Sequence, residues 1–391
     1  MNKKLLTAAI GAALAAGPML ASTAVADVKV YGKVHVSIDY IDPVGSGDAT
    51  TGNVTQATSR KGTSVSSNAS RWGLDISEKL GGGMTAIAKL EQEIRADGDD
   101  AGQASRNRYV GLKGKFGTIL AGINDTPFKN ISRNVELFPE YIGDNRNIVS
   151  GGTSYNWDQR PPNVIQYATP DMNGFVATYL FSADASASTV ADDNRRRLDS
   201  VGLKYAKGPL YVDLAHETHR LSAVKDGGGQ KQSERGWRLG GSYNFGAFKV
   251  VGLYQSLQDL NAQSLGASQG ATVSSVKRNS WGLGGAYTAG NNVFKAQYYK
   301  ANAVNNFTND GAAVSGTGTG AKMWVVGWDH LFSKTVKAYV AYAKTDNDAC
   351  GVDFCPTFTV NGPSGGAHSD VITPAGGRDP SAWSVGMIVD F

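Results

Sequence analysis

Val28-Lys29-Val30-Tyr31-Gly32-Lys33-Val34-His35-Val36-Ser37-Ile38-Asp39-Tyr40 alternates apolar and polar side chains almost without a break. Val28, Val30, Val34, Val36, Ile38 and Tyr40 fall on one face, with Gly32 among them, while Lys29, Lys33, His35, Ser37 and Asp39 fall on the other. A period of two over thirteen residues is a β-strand with two chemically different faces. The chain closes on the same pattern. Trp383, Val385, Met387, Val389 and the terminal Phe391 alternate with Ser384, Gly386 and Asp390.

Between these ends, strand-like runs come in pairs, near 70–79, 84–95, 105–113, 117–123, 162–169, 174–182, 198–205, 210–218, 235–243, 247–257, 278–287, 292–301, 321–330 and 336–344. With the terminal two they make sixteen. Within each pair the connection is short and carries Gly, Pro, Asn or Ser, as in Asn244-Phe245-Gly246 and Ala289-Gly290-Asn291, where the backbone must reverse. Between pairs the connections are long and polar, as at 41–69, 258–277, 302–320 and 345–381. Short turns on one rim and long loops on the other mark a transmembrane antiparallel β-barrel. Hydrocarbon offers no partner for a peptide group, so a sheet survives there only if it closes on itself. Phe116, Phe175, Tyr205, Tyr211, Tyr243, Phe245, Phe248, Tyr287, Phe294 and Phe332 cluster near the short turns, at the level where amphipathic rings meet lipid headgroups. Eight strands would enclose only side chains, whereas about sixteen enclose water.

The amino terminus sets the compartment. Lys3 and Lys4 precede an apolar run from Leu5 to about Ala16, and Ala24-Val25-Ala26 precedes Asp27. That is the layout of a secretory signal peptide over residues 1–26, leaving 27–391 as one barrel domain. A membrane-spanning helix needs roughly 20 unbroken apolar residues, and Gly17-Pro18 interrupts this run. Losing two lysines takes the formal charge from +4 to +2, which gives no support to a nucleic-acid partner.

One long connection differs from the rest. From Asn124 to about Trp157 it carries Asp125-Thr126-Pro127-Phe128 and Glu136-Leu137-Phe138-Pro139-Glu140. Apolar side chains in a polar loop argue for packing, and in a wide barrel the free surface is the inner wall.

Several segments resemble the trimeric general-diffusion porins of Gram-negative outer membranes. They are Val30-Tyr31-Gly32-Lys33, Ser70-Arg71-Trp72-Gly73-Leu74, Arg106 through Lys113, Arg160-Pro161-Pro162-Asn163-Val164-Ile165-Gln166-Tyr167 and the terminal Phe391. The resemblance runs over the full mature length. It implies a homotrimer in the outer-membrane lipid, an infolded third loop, passage of small hydrophilic solutes and ions, and Phe391 as the assembly signal. It also implies a constriction with a basic wall at Lys33, Arg71, Arg106 and Arg160, facing loop acids at Glu136 and Glu140. Arg108, two residues from Arg106 in the same strand, is expected to join the wall, since an Arg facing mid-membrane lipid costs roughly 2–4 kcal/mol. The family's Pro-Glu-Phe-Gly-Gly run reads Pro139-Glu140-Tyr141-Ile142-Gly143 here, so the loop tip is expected to sit differently. Four wall cations against two loop acids, with Arg108 and Arg133 adding to one side and Asp125 and Asp144 to the other, imply mild anion preference.

Other chemistries find little support. His35, His216, His219, His330 and His368 are scattered and form no catalytic or metal-binding spacing, so we expect no enzyme, metal or cofactor. Gly316-Thr317-Gly318-Thr319-Gly320 precedes a strand, not a helix, and is no phosphate cradle. The competing readings are a substrate-specific channel, which would line its lumen with aromatic residues, and a barrel with an adhesive or structural role.

Cys350 and Cys355 lack a second Cys or His pair for a metal, and export passes through an oxidising compartment. We expect a disulfide between them. Mass spectrometry of the unreduced protein should find no free thiol, and reduction should leave the pore open, because the closed loop is short and peripheral.

Overall fold

The computed structural model describes residues 26–46, 61–98, 105–149, 157–185, 196–225, 231–259, 277–305, 308–309, 312–313, 318–348 and 377–391. Residues 1–25 of the expected signal peptide, Cys350 and Cys355 lie outside the described residues.

The wall is built from β1 (Asp27–Ser46), β2 (Gly62–Ser67), β3 (Arg71–Gly81), β4 (Met84–Glu93), β5 (Ser105–Gly114), β6 (Gly117–Ile123), β7 (Val164–Ala168), β8 (Phe175–Ser182) and β9 (Arg196–Lys207). It continues with β10 (Leu210–Lys225), β11 (Lys231–Phe245), β12 (Phe248–Gln258), β13 (Arg278–Ala289) and β14 (Asn292–Ala301), then β17 (Ala321–Leu331), β18 (Val336–Asn347) and β19 (Asp379–Asp390). β15 (Thr308–Asn309) and β16 (Ala312–Ala313) form a separate small ladder. Neighbouring strands of the wall are antiparallel, and β19 pairs with β1 in regular register from Lys33↔Asp390 to Asp42↔Ser381, closing the ring. Where the two ends meet, Gly32 and Phe391 exchange backbone hydrogen bonds of 2.9 and 3.0 Å. The Phe391 ring lies over Gly32, where a Cβ would collide with it.

The expected loop 41–69 is not wholly a loop. β2 pairs with the outer half of β1 (Ile41↔Gly62 to Val36↔Ser67), and β3 with its inner half (Lys33↔Arg71 to Asp27↔Ser77). The two therefore share one wall position, giving a barrel of sixteen. Between them Ala69 takes a left-handed backbone at φ 51°.

The alternation resolves as lipid outside and polar groups inside. Val30, Val110, Leu283, Trp383 and Val385 are exposed on the outer face, as are most of the turn aromatics. Tyr211 departs from the expected girdle. Its hydroxyl donates inward to Asp213 at 3.0 Å and accepts from Asn134 at 2.7 Å.

The connection after β6 folds into the barrel. It holds the helix α1 (Pro127–Asn134) and a short 3-10 turn at Asn145–Asn147. Thr126 caps α1 by accepting from the Lys129 backbone N–H at 3.1 Å, and Pro127 stands at the first helical position, where its missing N–H costs nothing. Phe128, Ile131, Phe138, Tyr141 and Ile142 are buried against the inner wall, packed with Leu257, Tyr299, Met323, Val325 and Tyr339. Burying each such side chain is worth about 1.5–3 kcal/mol. Polar anchors fix the register. Arg238 pairs with Asp158 at 2.6 Å and donates to the Phe128 carbonyl at 3.0 Å, while Gln297 accepts from the Leu137 N–H at 2.9 Å.

Glycines in the wall make room for these side chains. A Cβ on Gly240 would stand 2.5 Å from the Ile131 Cγ2, one on Gly236 2.6 Å from the Trp157 ring, and one on Gly327 2.8 Å from the Phe138 ring. Gly241, on the outer face beside Gly240, has nothing nearer than 3.4 Å. Gly240→Val should lower the thermal midpoint in detergent through overpacking worth about 1–3 kcal/mol, and Gly241→Val should leave it nearly unchanged. Equal midpoints would show that the helix is not held against Gly240.

Candidate functional site

The infolded loop covers the inner face of β10–β18, so the open passage lies between the loop and β1–β5. A cavity of about 510 Å³ is lined there by Lys33, Arg71, Glu91, Glu93, Arg106 and Asn107 of the wall. From the loop come Asp125, Lys129, Arg133, Glu140, Arg146 and Asp158, with Arg160 at its end.

The wall side starts from strand parity. Lys33 on β1 and Arg71 on β3 are direct register partners and both turn inward. On β4, Lys89, Glu91 and Glu93 share the inner face, since Leu90 between them is exposed outside. Glu91 pairs with Arg106 at 2.5 Å, accepts from the Tyr31 hydroxyl at 2.9 Å and lies 3.9 Å from Arg71. Arg160 pairs with Asp125 at 2.8 Å and donates to the Asn107 amide oxygen at 2.9 Å.

From the loop, Glu140 spans the passage. Its carboxylate pairs with Arg71 at 2.6 Å and with Lys33 at 3.2 Å. Burial by itself would raise this carboxyl, but the charges of Arg71, Lys33 and Arg106 outweigh it and hold it at about 2. Glu140 sits at φ 67°, a left-handed conformation costly for a side chain with a Cβ. The backbone is held there by Asp144, which accepts from the Glu140 N–H at 2.9 Å while pairing with Arg133 at 3.0 Å and Arg146 at 2.8 Å.

Two of the expected constriction residues lie elsewhere. Glu136 is enclosed beneath the loop, pairs with Arg133 at 2.9 Å and accepts from the Asn145 N–H, so it does not face the passage. Arg108 is on the outer wall. The β4–β5 register shifts between Leu90 and Gln92, and this bulge separates the parity of Arg106 from that of Arg108. Arg108 stands opposite Leu90 and Ile123 and donates to the Gln92 side chain and, at 3.5 Å, to the Glu91 carbonyl. It is the fourth residue from the loop end of β5, where an outward charge costs about 0–1 kcal/mol instead of the mid-membrane penalty.

The inward acids Glu91 and Glu93 were legible from the alternation of β4 but missing from the sequence-based set. Lys129 also was, once Thr126-Pro127 is taken as a helix start. Arg146 and Asp158 carry no local signal of where they point.

A model described as "Gram-negative porin" matches residues 7–349. The chain belongs to the Gram-negative porin family. The porin is 29% identical over 297 residues to outer membrane porin protein 32 of Delftia acidovorans, covering 74% of this chain and 77% of that protein. It is 30% identical over 281 residues to an outer membrane porin protein of Bordetella pertussis, covering 66% of this chain and 70% of that protein. Among solved structures it resembles the anion-selective porin from Comamonas acidovorans, with TM-score 0.69, 25% identity and coverage of 94% and 100%. The porin thus resides in the outer membrane and forms a water-filled channel for passive diffusion of small hydrophilic solutes. Members of the family are channels and not enzymes.

Lys129 gives this porin a titration near physiological pH. Burial depresses its ammonium to about 8, against the attraction of Asp125 at 2.8 Å. A lowered lysine value means that the charge is present below pH 8 and lost above it. Any cationic bias of the passage should therefore weaken between about pH 7 and 9, on either side of that value. Lys129→Met should remove that pH dependence, read from reversal potentials in planar bilayers.

Proposed function

We propose that this passage is the constriction of the channel and that it gives the porin a mild preference for anions. The observation that carries the reading is the charge of the lining. Among the described residues, Lys33, Arg71, Arg106, Lys129, Arg133, Arg146 and Arg160 are seven basic groups against five acidic ones, Glu91, Glu93, Asp125, Glu140 and Asp158. In a narrow neck of low effective dielectric, an excess of positive charge is screened less than on an open surface and biases which ion enters. The same opposed charges orient water and dipolar solutes, and penalise apolar solutes that cannot replace their hydration. The resemblance to a Comamonas acidovorans porin described as anion-selective agrees with this reading. In the same proposal, residues 1–26 are a cleaved signal, 27–391 assemble as a homotrimer, and Phe391 serves as the assembly signal.

Reversal potentials in a salt gradient should favour anions, weakening toward ~1 M, where the screening length is about 3 Å. Arg106→Ser combined with Arg160→Ser should shift the potential toward cations, because the lining then carries five basic groups against five acidic ones and Glu91 loses its partner at 2.5 Å. The same variant should pass larger uncharged sugars. A reversal potential that already favours cations in the unmodified protein would overturn the charge count.

A further inference from the structure

A recess of about 330 Å³ opens inside the barrel between α1 and the inner face of β7–β10. Asn130 lines both this recess and the passage, so the two adjoin across its side chain. The wall of the recess includes one row of register partners, Val176 on β8, Lys204 on β9 and Asp213 on β10. Val201, Leu203, Val212 and Leu214, which alternate with them, are exposed on the outer face. Lys204 lies three residues before the end of β9 and Asp213 three after the start of β10, so the row sits near the short turns. Pro127 seals one edge, since a Cβ on Gly202 would stand 2.8 Å from the Pro127 Cβ.

That row holds two opposite charges that do not meet. Lys204 makes no hydrogen bond or ion pair among the described residues. Asp213 is buried and accepts from the Tyr211 hydroxyl at 3.0 Å, yet it too has no ion pair among the described residues. A carboxylate this enclosed is ordinarily matched by a cation. Amides complete the lining. Asn134 donates to the Tyr211 hydroxyl at 2.7 Å and Gln166 accepts from Asn124 at 2.9 Å, which leaves the Asn134 amide oxygen and the Gln166 amide nitrogen for a solute.

We propose that this recess is a subsite for small zwitterions, free amino acids and dipeptides, with the solute carboxylate on Lys204 and its ammonium on Asp213. A lone anion on Lys204 would be repelled by Asp213, and a lone cation on Asp213 by Lys204. A solute carrying both charges satisfies both groups, and each contact is a charge-assisted hydrogen bond. The amides of Asn130, Asn134 and Gln166 supply the donors and acceptors that a peptide group needs. A volume of about 330 Å³ is at the small end of ligand pockets, which suits a solute of one or two residues. The subsite rests on the passage being the solute's route, but its two charges are not among those that line the passage.

Saturation-transfer NMR on the detergent-purified protein tests this with glycylglycine, N-acetylglycine and glycinamide as probes, the last two each lacking one of the charges. Glycylglycine should bind about tenfold more tightly than either, the factor that one lost charge-assisted hydrogen bond gives. Lys204→Met should bring its affinity down to that of glycinamide, and Asp213→Asn to that of N-acetylglycine. Lys204→Asp combined with Asp213→Lys keeps both charges in the row and should restore glycylglycine binding. Heat-modifiable migration of each variant on electrophoresis should match that of the unmodified protein, which shows a folded barrel. Binding is read in detergent without a salt gradient, so its outcome is distinct from that of the reversal potentials. Equal affinity for the three probes, or glycylglycine binding untouched by both single variants, would overturn the subsite. So would loss of that binding in Arg106→Ser with Arg160→Ser but not in Lys204→Met.

Discussion

An unpaired peptide N–H or C=O in hydrocarbon costs several kcal/mol, so a sheet in a bilayer has to end on itself. In this chain that condition is met at one seam, where β19 returns to β1 and Phe391 exchanges hydrogen bonds with Gly32. Everything else follows from the closure. A ring of about sixteen positions is too wide for wall side chains to fill, so the interior has room for a folded-in segment and for water. The same ring fixes parity, sending Val, Leu and Trp to lipid and leaving Lys, Arg, Asp and Glu for the lumen.

How the interior is divided depends on packing. The loop after β6 is held on one side by apolar burial against β10–β18 and by the Arg238–Asp158 pair at 2.6 Å. Its position leaves the opposite wall bare, and that wall carries Lys33, Arg71 and Arg106. Ion pairs this enclosed offset their own desolvation only when each charge has several partners. Glu140, Glu91 and Asp144 each meet that condition, accepting from two or more donors. Glu140 and Glu91 thus line the passage while holding its wall cations, and Asp144 stands buried behind them.

Two placements show where strand alternation stops being a guide. Arg106 and Arg108 look equivalent at a spacing of two, and would be in an unbroken ladder. One bulge opposite Glu91 sends them to opposite sides of the wall. Glu136 and Glu140 look equivalent as loop acids around Pro139. Only Glu140, turned by its left-handed backbone and tethered to Asp144, reaches the passage, while Glu136 closes the loop from within through Arg133. Both outcomes depend on residues distant in sequence, so no local pattern announces them.

The order of residues determined by itself the strand number, the short and long rims, the lipid-facing side and the presence of a segment able to pack inward. Each is a consequence of local periodicity or composition, which the chain carries residue by residue. The tertiary structure alone decided which loop carboxylate meets Arg71, how wall glycines receive α1, and that β2 and β3 share one position. Those depend on registers between segments far apart in the chain. A shift of one residue in a ladder reverses every side chain beyond it.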